Sequence, residues 1–188
     1  MTSKPLKAVG EEVWKTKIDK VNAELVALTY GSLVAQLCRD FENNYDRVNE
    51  QLDKMGYNIG LRLIEDFLAR SGIGRCSSFK DTAEVISKVG FKMFLNVVPR
   101  VSNWSADGKT FSLYIDDNPL ADFVELPPQS ENLWYSNIYC GVLRGALEMT
   151  QMQVHAEFVS DVLQGHAATE IKVQLLQILK DEIPAAEE

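Results

Sequence analysis

The chain has little histidine and little cysteine, and neither is spaced for metal binding or disulfide pairing. Two of its 188 residues are His and three are Cys. Cys38, Cys76 and Cys140 stand far apart, are odd in number and include no CxxC. That excludes the usual zinc spacings and a disulfide framework, so no metal site is expected. A reduced, cytoplasmic protein is the expectation. No apolar run approaches the length of a membrane span. The lysine-dotted start lacks the apolar centre of a secretory leader, Gly is absent from position 2 and no CaaX ends the chain. Neither a signal peptide nor the two simplest terminal lipid signals are therefore expected. Positive charge is scarce as well, with 19 Lys and Arg against 27 Asp and Glu, for a net charge of −8. Binding a phosphate backbone needs a basic face, so nucleic acid is not an expected partner. A general polybasic grip on a membrane is disfavoured for the same reason.

What remains is the composition of a soluble globular domain, 46% hydrophobic and 24% charged. The length suits one domain with a proper core. Residues 1–20 carry five lysines, three acids and Pro5 with little periodicity. Residues 1–23 read as a flexible N-terminal arm, helical at most near Trp14, which is either a partner-binding arm or an ordinary frayed terminus. From Ala23 the spacing becomes helical, with Leu25, Leu28, Leu33, Gln36 and Leu37 near one face out to Phe41. After Asn43-Asn44 a second helix is predicted from about Arg47 to Ala69, its stripe made by Leu52, Met55, Ile59, Leu63 and Phe67. Gly56 and Gly60 lie inside it, each costing about 1 kcal/mol relative to Ala. They point to close approach of another backbone, in this chain or another subunit, unless they are simply tolerated.

The turn Ser71-Gly72-Ile73-Gly74 stops that helix, with glycine as the C-terminal cap. Ser78 with Asp81 resembles a capping box that opens a third helix through Asn96, and Pro99 ends it. Its apolar face is read as Phe79, Ala83, Ile86, Phe94 and Val97. The period then falls to two. Val101 to Trp104 and Phe111 to Ile115 flank Ala106-Asp107-Gly108, a hairpin turn. Asn132 to Met149 is apolar almost all round and predicts a buried central helix. Val154, Ala156 and Phe158, then Ile171, Val173 and Leu175, alternate with polar residues as two further antiparallel strands. The order is ααα-ββ-α-ββ, an α+β domain over residues 24–180 with a four-stranded antiparallel sheet. An acidic tail follows over 181–188.

No catalytic group is expected. Cys76 with His155 or His166 is the one imaginable nucleophile pair, and nothing in the sequence ties them together. Glu65 and Asp66 point about 100° apart on a helix and make no carboxylate pair. Gly72 to Arg75 follows a helix rather than a strand and lacks the Gly-Lys-Ser/Thr ending of a phosphate loop. Cys38 and Cys140 sit in helical patterns among apolar neighbours and read as buried, inert thiols. Cys76 differs: Arg75 and the N-terminal end of the following helix both favour a thiolate. Such a thiol can attack a thioester and become S-acylated; an unmodified loop cysteine is the other reading. About fourteen buried methylenes at ~0.8 kcal/mol each would contribute on the order of 11 kcal/mol as an upper bound. The third and fourth helices are the expected walls of such a channel, although core packing explains the same residues.

The segments Leu28-Thr-Tyr-Gly31, Gln51 to Gly60, Arg62 to Arg70, Gly74-Arg-Cys76, Phe123 to Pro127 and Cys140 to Met149 carry a resemblance. Over roughly residues 25–160 the chain resembles the Bet-type small subunit of the transport protein particle (TRAPP), a vesicle-tethering complex. Residues 1–23 lie outside that resemblance, and residues 165–188 match it less well. It implies helices on one side of the antiparallel sheet. It implies palmitate on Cys76 inside an internal channel, with Arg75 supporting acylation and no other cofactor. It implies pairing with sibling TRAPP core subunits of related fold and a homodimer in isolation. It further implies a part in nucleotide exchange on a Rab-family GTPase, and a cytoplasmic protein held peripherally on cis-Golgi and endoplasmic reticulum membranes. The contrasting reading is a stand-alone acyl- or lipid-binding protein.

Overall fold

The structure, a computed structural model, describes residues 5–179. Helix α1 spans Leu6–Thr16, α2 Ala23–Asp40 and α3 Tyr45–Ser71. Helix α4 (Phe79–Val85) runs through a π-helical segment (Ile86–Phe91) into α5 (Lys92–Leu95), so the three make one continuous helix. Strands β1 (Arg100–Ser102) and β2 (Thr110–Ile115) form the first hairpin. Helix α6 (Ile138–Glu148) follows, then β3 (Met152–Ser160) and β4 (Thr169–Ile178) form the second. The sheet is antiparallel throughout, in the order β1-β2-β4-β3. Clustered helices followed by hairpins therefore give the expected α+β fold.

The local signals behave as the chemistry requires. The Asn22 and Asn44 side chains accept the backbone N–H groups of Leu25 and Arg47, opening α2 and α3. Ser78 Oγ accepts the Asp81 N–H at 3.1 Å and opens α4. Gly72, with φ +66°, closes α3 in the left-handed region where a side chain is strained. On the sheet, Val173 stands opposite both Phe111 and Ala156, and Ile171 opposite Leu113 and Phe158. All six are buried under the helices. The other face carries Tyr114 and the Lys172–Glu157 ion pair at 3.0 Å. A one-residue slip would exchange these two sets, so the alternation pins the register.

Helix α6 is the centre of the helical layer, between α3 and β3. A methyl group on Gly56 would stand 2.1 Å from the Ile138 carbonyl oxygen, and one on Gly60 2.4 Å from that of Val142. From the other side, a methyl on Gly141 would stand 2.0 Å from Asp53 O and one on Gly145 2.3 Å from Tyr57 O. The two helices thus meet backbone to backbone, and the expected glycine contact lies within the chain.

Four expectations change. Helix α6 begins at Ile138, not Asn132, because Asn49 holds the preceding chain in turns: it donates to Asn132 O and accepts from Trp134 N. On α3 the glycines replace the leucine stripe; Val48, Leu52, Gly56, Gly60 and Phe67 face inward and Ile59 is exposed. On α2 the buried face is Ala27, Tyr30 and Val34, whereas Leu25 and Leu28 are 63% and 58% exposed. Within the expected arm of 1–23, the described residues from Pro5 on are not bare, since α1 packs on the domain with Val13 only 1% exposed. The predicted acidic tail, 181–188, lies outside the described residues.

Candidate acyl-binding site

Between α3 and α4 the chain crosses a loop that carries Arg75 and Cys76. Its first turn is fixed by Gly72 and by the Ile73 N–H, which donates to Ser71 Oγ at 3.2 Å. Arg75 Nη2 donates to Gln151 Oε1 at 3.0 Å, which ties the loop to the turn between α6 and β3. Beyond Cys76, the Ser77 hydroxyl donates to the Asp81 carboxylate. That hydrogen bond, with a further one from Ser78, holds the Asp81 carboxyl below the usual carboxylate range. The loop is thus anchored on both sides of a half-buried thiol.

The apolar interior is divided into two clusters. The larger gathers the sheet residues with Tyr30, Leu52, Phe79, Ala83, Phe91 and Leu143. The smaller is built from Val13 of α1, Phe67 of α3, and Val85, Val89 and Met93 of the α4–π–α5 helix. Cys76 packs at its edge together with Leu6, Val9, Ile64 and Phe94. The α4–π–α5 helix is therefore a partition, with Phe79, Ala83 and Phe91 on one side and Val85, Val89 and Met93 on the other. A π-helical interruption in mid-helix commonly accompanies a functional site, and here it forms that wall. A thiol so placed can carry an acyl group whose carbons run into an apolar interior while the thioester stays at the edge.

Burial works against the other two cysteines as nucleophiles. Cys140 lies on α6 in the main core, and burial pushes its thiol far up. Cys38 is half-buried, rather than buried as expected, and burial raises its thiol too. No hydrogen bond or ion pair among the described residues joins either histidine to Cys76. His155 stands on the outer sheet face beside Glu157, and His166 lies in the β3–β4 turn against Asp161. Among the described residues, no three His, Cys, Asp or Glu side chains converge to hold a metal ion. No described helix is long and apolar enough to cross a membrane.

Of the expected channel walls, the third helix lines the cluster around Cys76, but α6 belongs to the main core. Helix α1 is the wall that spacing did not reveal. Its Leu6, Val9 and Val13 do recur at three and four residues, yet Lys7, Glu11 and Glu12 between them mask the stripe. A second surface also departs from the periodicity. Leu28, set near one apolar face by periodicity, lines an open groove of about 590 Å³ together with Ala27, Gly31, Val34, Phe123, Leu126 and Tyr135, and Leu25 is exposed one turn earlier.

Fold and site together define a class: a helix-on-sheet domain with a half-buried thiol at the edge of a secondary apolar cluster. The family described as transport protein particle (TRAPP) component matches residues 26–174, and the chain belongs to that family. It is 59% identical over 187 residues to the trafficking protein particle complex subunit BET3 of Saccharomyces cerevisiae, covering 99% of this chain and 97% of that one. It is 62% identical over 181 residues to the transport protein particle subunit bet3 of Schizosaccharomyces pombe, covering 96% and 97%. A solved structure of a trafficking protein particle complex subunit 3 from Naegleria fowleri, covalently bound to palmitic acid, is similar with a TM-score of 0.83 and 50% identity. That match covers 87% of this chain and 100% of the other. Coverage of 99% in the budding yeast alignment also corrects the expectation that the first 23 residues have no counterpart in the family.

Proposed function

We propose that this chain is a non-catalytic core subunit of a vesicle-tethering complex in ER-to-Golgi transport, with a palmitoyl chain on Cys76 buried in the domain. The observation that carries this reading is the seat of Cys76, at the edge of a private apolar cluster in a chain of the TRAPP family. In the acylation step, Cys76 Sγ attacks the carbonyl of an acyl thioester. A new thioester forms, the donor's carbon–sulfur bond breaks, and the cysteine proton ends on the released thiol. Arg75 supports the step by holding the loop through Gln151. The Naegleria relative, covalently bound to palmitic acid, supports the choice of acyl group. Once buried, the chain acts as core, and water is kept from the thioester.

The exposed apolar row of α2 supports pairing with sibling subunits, and with a second copy when the chain is alone. Leu25 and Leu28 of α2 and Val21 just ahead of it are exposed, as is Phe123 at the groove. An apolar row beside an open groove is a surface suited to a partner. Nucleotide exchange on a Rab-family GTPase then belongs to the assembled complex on cis-Golgi and endoplasmic reticulum membranes, and needs no catalytic side chain from this subunit. Exchange requires only that the complex bind the nucleotide-free GTPase better than the loaded one. The test is reconstitution with sibling subunits of related fold. The reading expects a stable complex that releases labelled GDP from a Rab-family GTPase, with activity lost when this chain is left out. A chain that stays alone and trades its lipid with added fatty acid would identify a stand-alone lipid carrier instead.

A further inference from the structure

Helix α1 is attached to the molecule differently from every other wall around Cys76. It packs on the π-helical segment, α5 and α3. Its buried Val13 belongs to the cluster around Cys76 and not to the main core. The other walls are rooted in both: α3 reaches the main core through Val48 and Leu52, and the α4–π–α5 helix through Phe79 and Phe91. They cannot yield without opening the main core, whereas α1 can. The way α1 is seated fits that role. A methyl group on Gly10 would stand 2.1 Å from the Lys88 carbonyl oxygen, so the α1 backbone rests directly on the π-helical segment. Two polar latches close its edges. Glu11 pairs with Lys92 at 2.9 Å. Lys17 Nζ donates to Arg70 O at 3.1 Å, and Arg70 Nη1 donates back to Lys17 O at 2.6 Å. Beyond the Lys17 latch and Ile18, which packs on the same cluster, residues 19–22 join α1 to α2, form neither helix nor strand and supply a hinge.

We propose that α1 is a hinged strap over the acyl chamber: closed, it completes the apolar cluster around Cys76, and lifted, it admits the acyl chain and exposes the thiol. This rests on the reading of Cys76 as the acylated residue. A peripheral element with few apolar roots opens locally far more often than the domain unfolds. Its residues Leu6, Val9, Gly10 and Val13 thereby become determinants of acyl loading and retention.

The test uses the full-length, unacylated protein. N-ethylmaleimide is added, and its rate of reaction at Cys76 and at Cys38 is followed by peptide mass mapping. Gly10→Val, which lifts α1 from Lys88, is expected to raise the Cys76 rate roughly tenfold. Glu11→Lys, a milder change that breaks one latch on the surface, is expected to raise it about twofold. Cys38 should react at the wild-type rate in both. Unchanged Cys76 rates in both variants, or Cys38 accelerating in step with Cys76, would overturn the strap. The acyl reading is judged separately, by incubating wild type with palmitoyl-CoA and mapping the adduct. No adduct on Cys76 sinks that reading, while the alkylation rates still decide whether α1 opens.

Discussion

The seam between α3 and α6 and the seat of α1 both set a glycine against a carbonyl oxygen, yet they hold different things. At the seam, four glycines interlock reciprocally, each where a methyl group would come within 2.4 Å of the opposite backbone. Around that seam lie the residues of the main core. At α1 there is one such glycine, with a small aliphatic cluster beneath it and polar latches at its rim. Two backbones in contact leave nothing that can repack. Side chains such as Val13, Val89 and Met93 can rearrange around a new occupant, because aliphatic side chains change rotamer where backbones cannot shift. The difference separates a permanent joint from an adaptable chamber, and it falls where Cys76 is.

The comparison predicts effects of graded size. Gly141→Ala, whose methyl would stand 2.0 Å from Asp53 O, should cost about 3 kcal/mol or prevent folding, as read by chemical denaturation. Cys76→Ser should fold. Against verified acylated wild type its melting temperature should fall by about 10 °C, and against unacylated wild type it should not move. Equal melting temperatures for the acylated pair would mean that the chain is not core. Leu25→Glu with Leu28→Glu should change stability by no more than about 0.5 kcal/mol. Light scattering should nonetheless find the isolated chain monomeric.

The smallest effect is a pH dependence. The Lys92 ammonium, through its hydrogen bond, holds the Glu11 carboxyl below its ordinary value. A depressed carboxyl contributes stability above its unfolded-state pKa and loses it as pH falls through the lower, folded value. Wild type should therefore melt slightly above Glu11→Gln near neutral pH, with the gap closing in acid. A gap that persisted or widened in acid would remove the latch.

Much of the main core is legible in the sequence, for physical reasons that particular residues display. Phe111, Leu113 and Ile115 alternate strictly, and a two-residue period has one structural meaning. Ser78 and Asp81 announce a helix start because a hydroxyl must satisfy an orphan N–H. Gly56 and Gly60 announce a close contact, although spacing alone could not locate its partners Gly141 and Gly145 in a segment that looked uniformly apolar. Where the structure departs from the periodicity, each departure has its own physical cause. Leu25 and Leu28 have the periodicity of a core face, but α2 turns Ala27, Tyr30 and Val34 inward and leaves both leucines outside. Leu6, Val9 and Val13 are inconspicuous in the sequence because a short helix on the rim sets charged residues such as Lys7, Glu12 and Lys15 on its open side. Cys76 was found by its position between two helix ends. Its apolar cluster was hidden, because Val13, Phe67, Val89 and Met93 come from three helices that only the fold brings together.

The central claim is that Cys76 carries a buried acyl chain. The most direct measurement is the intact mass of the protein made in eukaryotic cells, before and after neutral hydroxylamine, alongside Cys76→Ser. One hydroxylamine-labile adduct with the mass of a palmitoyl group, absent from Cys76→Ser, is the predicted result. An unmodified mass, or an adduct that survives the substitution, would contradict it.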